Sequence, residues 1–207
     1  MLSAQEFISK QSASDEPSLR PSAEQEVSIE SGTSFGNYVV FGYIEGRRVN
    51  PISVEFDRHS FGGFLHARVD YVAEVMPMLL LNEPASYTTS GASLSAARQT
   101  VYGGAVYPAG ARFLWRPGKS FKPYLIGQGG ILYFQRRVVS TEGAKLNYSG
   151  KFGLGIEQTL NPRLELRLGY SDFHISNGDT AQHNPGVDMM YFYTGITYHL
   201  GRKSTIR

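Results

Sequence analysis

Cysteine is absent from the 207-residue chain, which excludes disulfides and thiolate chemistry. A single tryptophan is present, and no apolar run approaches the roughly 18 residues that a membrane helix needs. The longest run, MPMLLL at 76–81, is short and interrupted by Pro77. The formal net charge is only +2, and no basic stripe is concentrated anywhere, so nucleic acid is not an expected partner. The opening MLSAQEF lacks both the charged start and the apolar stretch of a signal peptide, and this does not place the chain in the cytoplasm. No cluster of metal-ligating residues is visible, so no metal and no cofactor are expected.

What is present is an abundance of Tyr (13), Phe (12) and Gly (23), set in short alternating runs. This composition favours an all-β protein. Residues 1–25, rich in Ser, Glu, Gln and Pro, have too few large apolar groups to offset ordering and read as a disordered leader. A barrel domain is expected over 26–201, with a short tail over 202–207. Alternation predicts eight strands, near 26–33, 46–58, 62–77, 104–116, 121–137, 145–160, 163–176 and 187–200. Short connections (HSFGG, RPGKS, LNPR) alternate with long ones at 34–45, 78–103, 138–144 and 177–186.

Successive side chains of a strand point to opposite faces, so each predicted strand has one apolar and one charged face. Val69, Tyr71, Ala73 and Val75 oppose Arg68, Asp70 and Glu74; Leu164, Leu166 and Leu168 oppose Glu165, Arg167 and Gly169. Ile52, Val54 and Phe56 oppose Ser53, Glu55 and Asp57. Strand five, PYLIGQGGILYF, is apolar on both parities and does not declare its faces. A soluble barrel would turn the apolar face inward. The charged face here mixes both signs with glycine, which suits the crowded interior of a small barrel whose charges pair. Long strands, short turns at one end and long loops at the other match an outer-membrane barrel. Trp115, Tyr133, Phe134, Tyr148, Tyr170 and Tyr198 sit near strand ends, as interfacial girdles do. The expectation is an eight-stranded antiparallel up-and-down transmembrane β-barrel in the bacterial outer membrane.

The segment HISNGDTAQHNPGVD (174–188) concentrates polar groups between the last two strands. The apolar parity of strand seven, continued, carries Tyr170, Asp172, His174 and Ser176; that of strand eight, continued backward, carries Asp188. All of these project toward lipid near one rim, and antiparallel neighbours there lie about 4.5–5.5 Å apart. A serine is a weak nucleophile at neutral pH. A histidine, with an unperturbed pKa of about 6.5, can take its proton and return it to a leaving group. A carboxylate orients the imidazole and stabilises its cation. An Asn amide from the loop, or backbone N–H groups near Gly186, are candidate oxyanion donors. The plainer reading is a polar loop: Asn184-Pro185-Gly186 is a common turn signal, His183 is expected in solvent and Asp172 is expected to be a rim residue.

The order His174-Ile175-Ser176-Asn177, then Asn184, Gly186 and Asp188, resembles the bacterial lipid A 3-O-deacylases (PagL-type outer-membrane hydrolases). Lys122-Pro123-Tyr124, Gly127 and Leu146-Asn147-Tyr148 are similar too, and the likeness covers about 120–200, with the first half matching in pattern only. The resemblance implies Ser176 as nucleophile, His174 as base, Asp188 as orienting acid, Asn184 as oxyanion donor and Asn177 as a residue that shapes the site. It implies an esterase that removes the 3-hydroxyacyl chain at position 3 of lipid A, with lipopolysaccharide in the outer leaflet as partner. Two features depart from the family pattern: Asp188 stands where the family has Glu, and the chain runs on as GRKSTIR after Leu200. A non-enzymatic structural or adhesive barrel, a soluble ligand-binding barrel and a homodimer are the alternatives left open.

Overall fold

A computed structural model describes residues 22–35, 41–42 and 44–201. The strands are β1 (Gln25–Ser34), β2 (Arg48–Phe64), β3 (Ala67–Pro84), β4 (Arg98–Trp115), β5 (Phe121–Phe134), β6 (Leu146–Asn161), β7 (Leu164–Ser176) and β8 (Val187–Leu200). Each pairs antiparallel with its neighbour, and β8 pairs with β1 from Gln25↔Leu200 to Ser34↔Tyr191, closing the barrel. Long connections at 35–47, 85–97, 135–145 and 177–186 share one end; short turns share the other. The predicted leader and tail fall largely outside the described residues. The exception is Ser22–Gln25, where Ser22 Oγ bonds His59 Nδ1 at 3.1 Å and Gln25 already opens β1.

The alternation predicted for the last strands is the observed one. In β7, Glu165 and Arg167 are buried inward, and Leu164, Leu166 and Leu168 face out. Ile29, Val54, Leu125, Phe152, Leu154 and Ile196 are all more than 40% exposed. A continuous apolar belt of this kind is what lipid, not water, accommodates. The soluble-barrel alternative, which needs these side chains inside, is therefore set aside.

Several boundaries move, for one recurring reason. HSFGG is not a turn: β2 runs through it by a register shift between His59 and Gly62, and the turn falls at Leu65-His66, both at positive φ. β3 passes Pro77 by a shift between Met76 and Leu79, so it ends at Pro84. A bulge is where a strand tolerates proline, because no ladder N–H is required there. The same shift reverses the faces, so Leu79, Leu81 and Glu83 become inward. β4 correspondingly begins at Arg98, and β5 stops at Phe134. Phe134 is fully buried inside the barrel and not in an outer girdle, whereas Tyr133, Tyr148 and Tyr198 do face out.

The interior divides into two layers, which explains the doubly apolar β5. Toward the short turns it is ionic. Arg112 bonds Glu26 (2.7 Å), Asp70 (2.8 Å), Glu157 (2.5 Å) and Asp57 (3.4 Å). Arg167 bonds Glu30 (2.9 Å), Asp57 (3.1 Å), Glu157 (2.8 Å) and also Glu55. Lys122 pairs with Glu165, and Lys151 with Glu74. Toward the loops the interior is apolar: Leu79, Leu81, Leu132, Phe134, Phe173 and Ile175 are each fully buried. Between the layers Tyr124 and Tyr193 share a hydroxyl–hydroxyl bond of 2.8 Å.

Removing one partner from a buried charge cluster leaves the rest uncompensated, which costs about 3–5 kcal/mol. Arg112→Leu is therefore expected to destabilise the folded barrel by about that amount in urea unfolding from lipid vesicles. An outward Leu154→Ile is expected to change stability by no more than about 0.5 kcal/mol.

Candidate active site

β7 and β8 place His174 and Asp188 as direct antiparallel partners on the outward face. His174 Nδ1 lies 2.5 Å from Asp188 Oδ1. A carboxylate only accepts, so Nδ1 carries the proton and Nε2 is left as the acceptor for another group's hydrogen. The Asp188 side chain is completely shielded from solvent although it sits on the membrane face. Its second oxygen, Oδ2, accepts the backbone N–H groups of Phe41 (2.5 Å) and Gly42 (2.8 Å), which belong to the β1–β2 connection. The Phe41 ring meets the His174 ring edge-on, with centroids 6.1 Å apart.

Ser176 projects from the same face of β7 as His174, two residues further along. Its hydroxyl donates to Asn184 Oδ1 at 3.0 Å and accepts the Gly178 N–H at 3.1 Å. Among the described residues no hydrogen bond joins it to His174. The loop that follows is braced by Asn177. Its N–H donates to Asn184 Oδ1 (2.9 Å), its amide donates to the His183 carbonyl (2.7 Å), and its carbonyl accepts Thr180 Oγ1–H (2.7 Å). Most polar groups of the segment thus bond one another, which lowers the cost of placing them beside a lipid face, while Asn177 Oδ1 and Asp172 Oδ1 are buried without a hydrogen-bond partner. Gly186 takes a left-handed φ of +61°, and an added Cβ would lie 3.3 Å from His174 Cε1 and 3.2 Å from Gly42 Cα.

A family model described as lipid A 3-O-deacylase (PagL) matches residues 73–197, more than half of the chain and inclusive of this site. The chain belongs to the lipid A 3-O-deacylase family. Among solved structures it is similar to the crystal structure of the outer membrane enzyme PagL: TM-score 0.58, 16% identity, covering 82% of this chain and 97% of that one. It is also similar to the outer membrane protein OprG from Pseudomonas aeruginosa: TM-score 0.50, 8% identity, covering 89% and 99%. A further similarity is to Neisserial surface protein A, at TM-score 0.48 and 9% identity, covering 84% and 95%. These likenesses show the fold. No curated protein sequence matches the chain. This member of the deacylase family is a bacterial outer-membrane β-barrel.

Within this deacylase-family barrel, the placements of Asn184 and Asp172 differ from the sequence expectation. Asn184 presents its amide oxygen, not its NH2, to Ser176, because the Asn177 N–H demands an acceptor at the same point; the donor that reaches Ser176 Oγ is Gly178 N–H. The His183 side chain is partly exposed, as expected, and its Nδ1 also pairs with Glu142 Oε2 at 2.6 Å, joining two of the long loops. Asp172 is 8% exposed and lies one rung below His174 on the outward face, between Phe152 and Met190, so it is not a solvated rim residue. The two N–H groups that complete Asp188 come from 146 and 147 positions away, and no local pattern marks them. The Asn177-Gly178-Asp179 turn, by contrast, carries a sequence signal for a tight positive-φ turn, from which a backbone donor beside Ser176 was readable.

Inside the barrel, Glu30, Glu55 and Glu74 come close enough to hold an ion. They come from three strands, which hides the cluster from any spacing pattern. Arg167 bonds Glu30 and Glu55, Gln128 bonds Glu55 and Lys151 bonds Glu74, while Glu74 Oε1 is buried without a hydrogen-bond partner. It faces inward, whereas His174, Ser176 and Asp188 face out.

Left-handed backbone costs a non-glycine residue about 1–2 kcal/mol, and the Gly186 contacts add to it. Gly186→Ala is expected to lower the unfolding free energy by at least that order and to shift the NMR signals of His174, with the strand core unchanged.

Proposed function

We propose that the chain is an outer-leaflet esterase that removes the ester-linked 3-hydroxyacyl chain at position 3 of lipid A. Family membership supports the substrate class and the reaction. The observation that carries the assignment to residues is the 2.5 Å His174–Asp188 bond on the lipid-facing wall, with Ser176 on the same face of β7. In this reading substrate enters sideways from the bilayer and not through the barrel, whose interior is filled by ion pairs and apolar side chains. Ser176 Oγ leaves Asn184 and attacks the ester carbonyl while His174 Nε2 takes its proton. Asp188 holds Nδ1–H and stabilises the imidazolium. The Gly178 N–H, and the Asn184 NH2 after rotation of the amide, are the donors for the oxyanion. Collapse breaks the bond to the sugar oxygen, which leaves with the proton from His174. Water, deprotonated by the same imidazole, then hydrolyses the acyl-serine and regenerates the hydroxyl. No step calls on a cofactor. A single chain supplies every group, and no comparison supports the homodimer.

The Ser176–Asn184 hydrogen bond is the observation that favours the second reading, a structural barrel whose polar loop only braces itself. Mass spectrometry of lipid A from cells making the protein separates the two. The wild type is expected to release one hydroxyacyl chain. Ser176→Ala is expected to lower the rate by on the order of 10⁴-fold or more, since members of such a unit fail together. An alanine variant that still shortens lipid A would remove the proposal.

A further inference from the structure

The connection between β1 and β2 does more than link two strands. Phe41 and Gly42 lie against the start of β8, and Ile44 forms a parallel bridge with Val187. The approach is backbone on backbone: a Cβ on Gly42 would sit 2.8 Å from Gly186 C and from Val187 N and Cα. Gly42 and Gly186 thus face one another; position 42 has no room for a side chain, and position 186 is tight and at a left-handed φ of +61°. The other end of the segment is fixed by Arg47, which is 3% exposed. Its guanidinium donates to the carbonyls of Glu45 (2.9 Å), Gly91 (2.7 Å) and Val139 (3.0 Å), and lies 5.5 Å from the centroid of the Tyr87 ring. Gly91 and Val139 belong to the next two outer loops. Burial pulls the Arg47 guanidinium down from its ordinary pKa, against an opposing pull from Glu83. A cation held out of water by carbonyls on three loops is a costly arrangement that fixes their relative positions.

We infer that Arg47 and Gly42 are positioning residues for the hydrolytic site. They hold the Phe41 and Gly42 N–H groups on Asp188 Oδ2, and so fix the carboxylate whose other oxygen orients His174. The inference rests on the deacylase reading for its kinetic consequence and on the geometry alone for its structural one. An aspartate on a membrane wall has neither water nor, with its short side chain, the reach to find a distant partner. The two backbone donors take water's place on one oxygen and leave the second directed at His174 Nδ1. Neither Arg47 nor Gly42 touches the reacting atoms. Asp188 bonds the His174 ring, and Asp172 lies close enough to interact with its charge.

The test uses the full chain folded in detergent micelles, with purified lipid A as substrate and Ser176→Ala as control. Arg47→Gln and Gly42→Ala both lie outside the barrel strands, and unboiled-gel mobility reports whether each barrel is closed. In each variant kcat is expected to fall about 10- to 100-fold with KM within about twofold, as for a displaced catalytic geometry. The kcat–pH profile is expected to change, because the carboxylate that faces the imidazole is displaced. Arg47→Lys is expected not to restore kcat, since an ammonium lacks the planar fork that spans these carbonyls. Independently of activity, the wild type is expected to show a far-downfield His174 Nδ1 proton resonance that moves upfield in both variants. Closed barrels of both variants with an unchanged resonance would overturn the inference. So would wild-type kcat with an unchanged pH profile. A wild type that releases no acyl chain, or a Ser176→Ala protein that does, would defeat the deacylase reading instead, and the resonance would still decide the positioning role.

Discussion

The charge cluster around Arg112 and Arg167 is the constraint from which the rest of the architecture follows. Glu26, Glu30, Glu55, Asp57, Asp70 and Glu157 come from β1, β2, β3 and β6, and they meet these two guanidinium groups inside the barrel. A carboxylate in hydrocarbon would be prohibitively costly, so the parity that carries these acids must point inward. Because side chains alternate strictly, the opposite parity must then meet lipid. A slip of one residue in any strand would exchange the two faces. Closure of β8 on β1 matters for the same reason: an open edge in lipid leaves backbone groups without partners.

That constraint fixes which way the candidate site on β7 and β8 faces. Arg167 inward on β7 sets the odd positions inside, so His174 and Ser176 face out. The antiparallel register then brings Asp188 opposite His174. A polar cluster in this position has to satisfy itself. Two sets of bonds do most of this: Asn177 and Asn184 close the loop around Ser176, and backbone N–H groups of the β1–β2 connection close over Asp188. The long loops therefore supply hydrogen bonds to the candidate site.

How much of this was readable from the chain depends on how local the cause is. The parity of β6, β7 and β8 is written in residues two apart, and so is the shared face of His174 and Ser176. Their relation to Asp188 needs only one short loop. The bulges at His59–Gly62 and Met76–Leu79 are less legible, because each depends on the neighbouring strand's register and not on composition. They account for the extended β2 and β3 and for the buried Leu79 and Leu81. Phe134 failed as a girdle residue because the interior changes from ionic to apolar along its length, so an aromatic near a strand end has two apolar environments open to it. The amide orientation of Asn184 and the donors to Asp188 were not legible at all. The first is set by a competing backbone N–H, and the second by a segment on the far side of the sequence.

The aspartate at 188, where the family pattern has glutamate, can be understood in the same terms. A shorter side chain keeps its carboxylate close to the strand, and the direct pairing of His174 with Asp188 brings the imidazole to it at 2.5 Å. The short reach also leaves the space above the carboxylate to the backbone of the β1–β2 connection, which comes close enough to donate two hydrogen bonds. One more methylene would set the carboxylate further from the strand than the position that the Phe41 and Gly42 N–H groups now meet. On this argument the residue and the loop belong to one packing arrangement. The glycines at 42 and 186 permit that arrangement, and a longer acid in this chain would compete with the donors that now hold the shorter one.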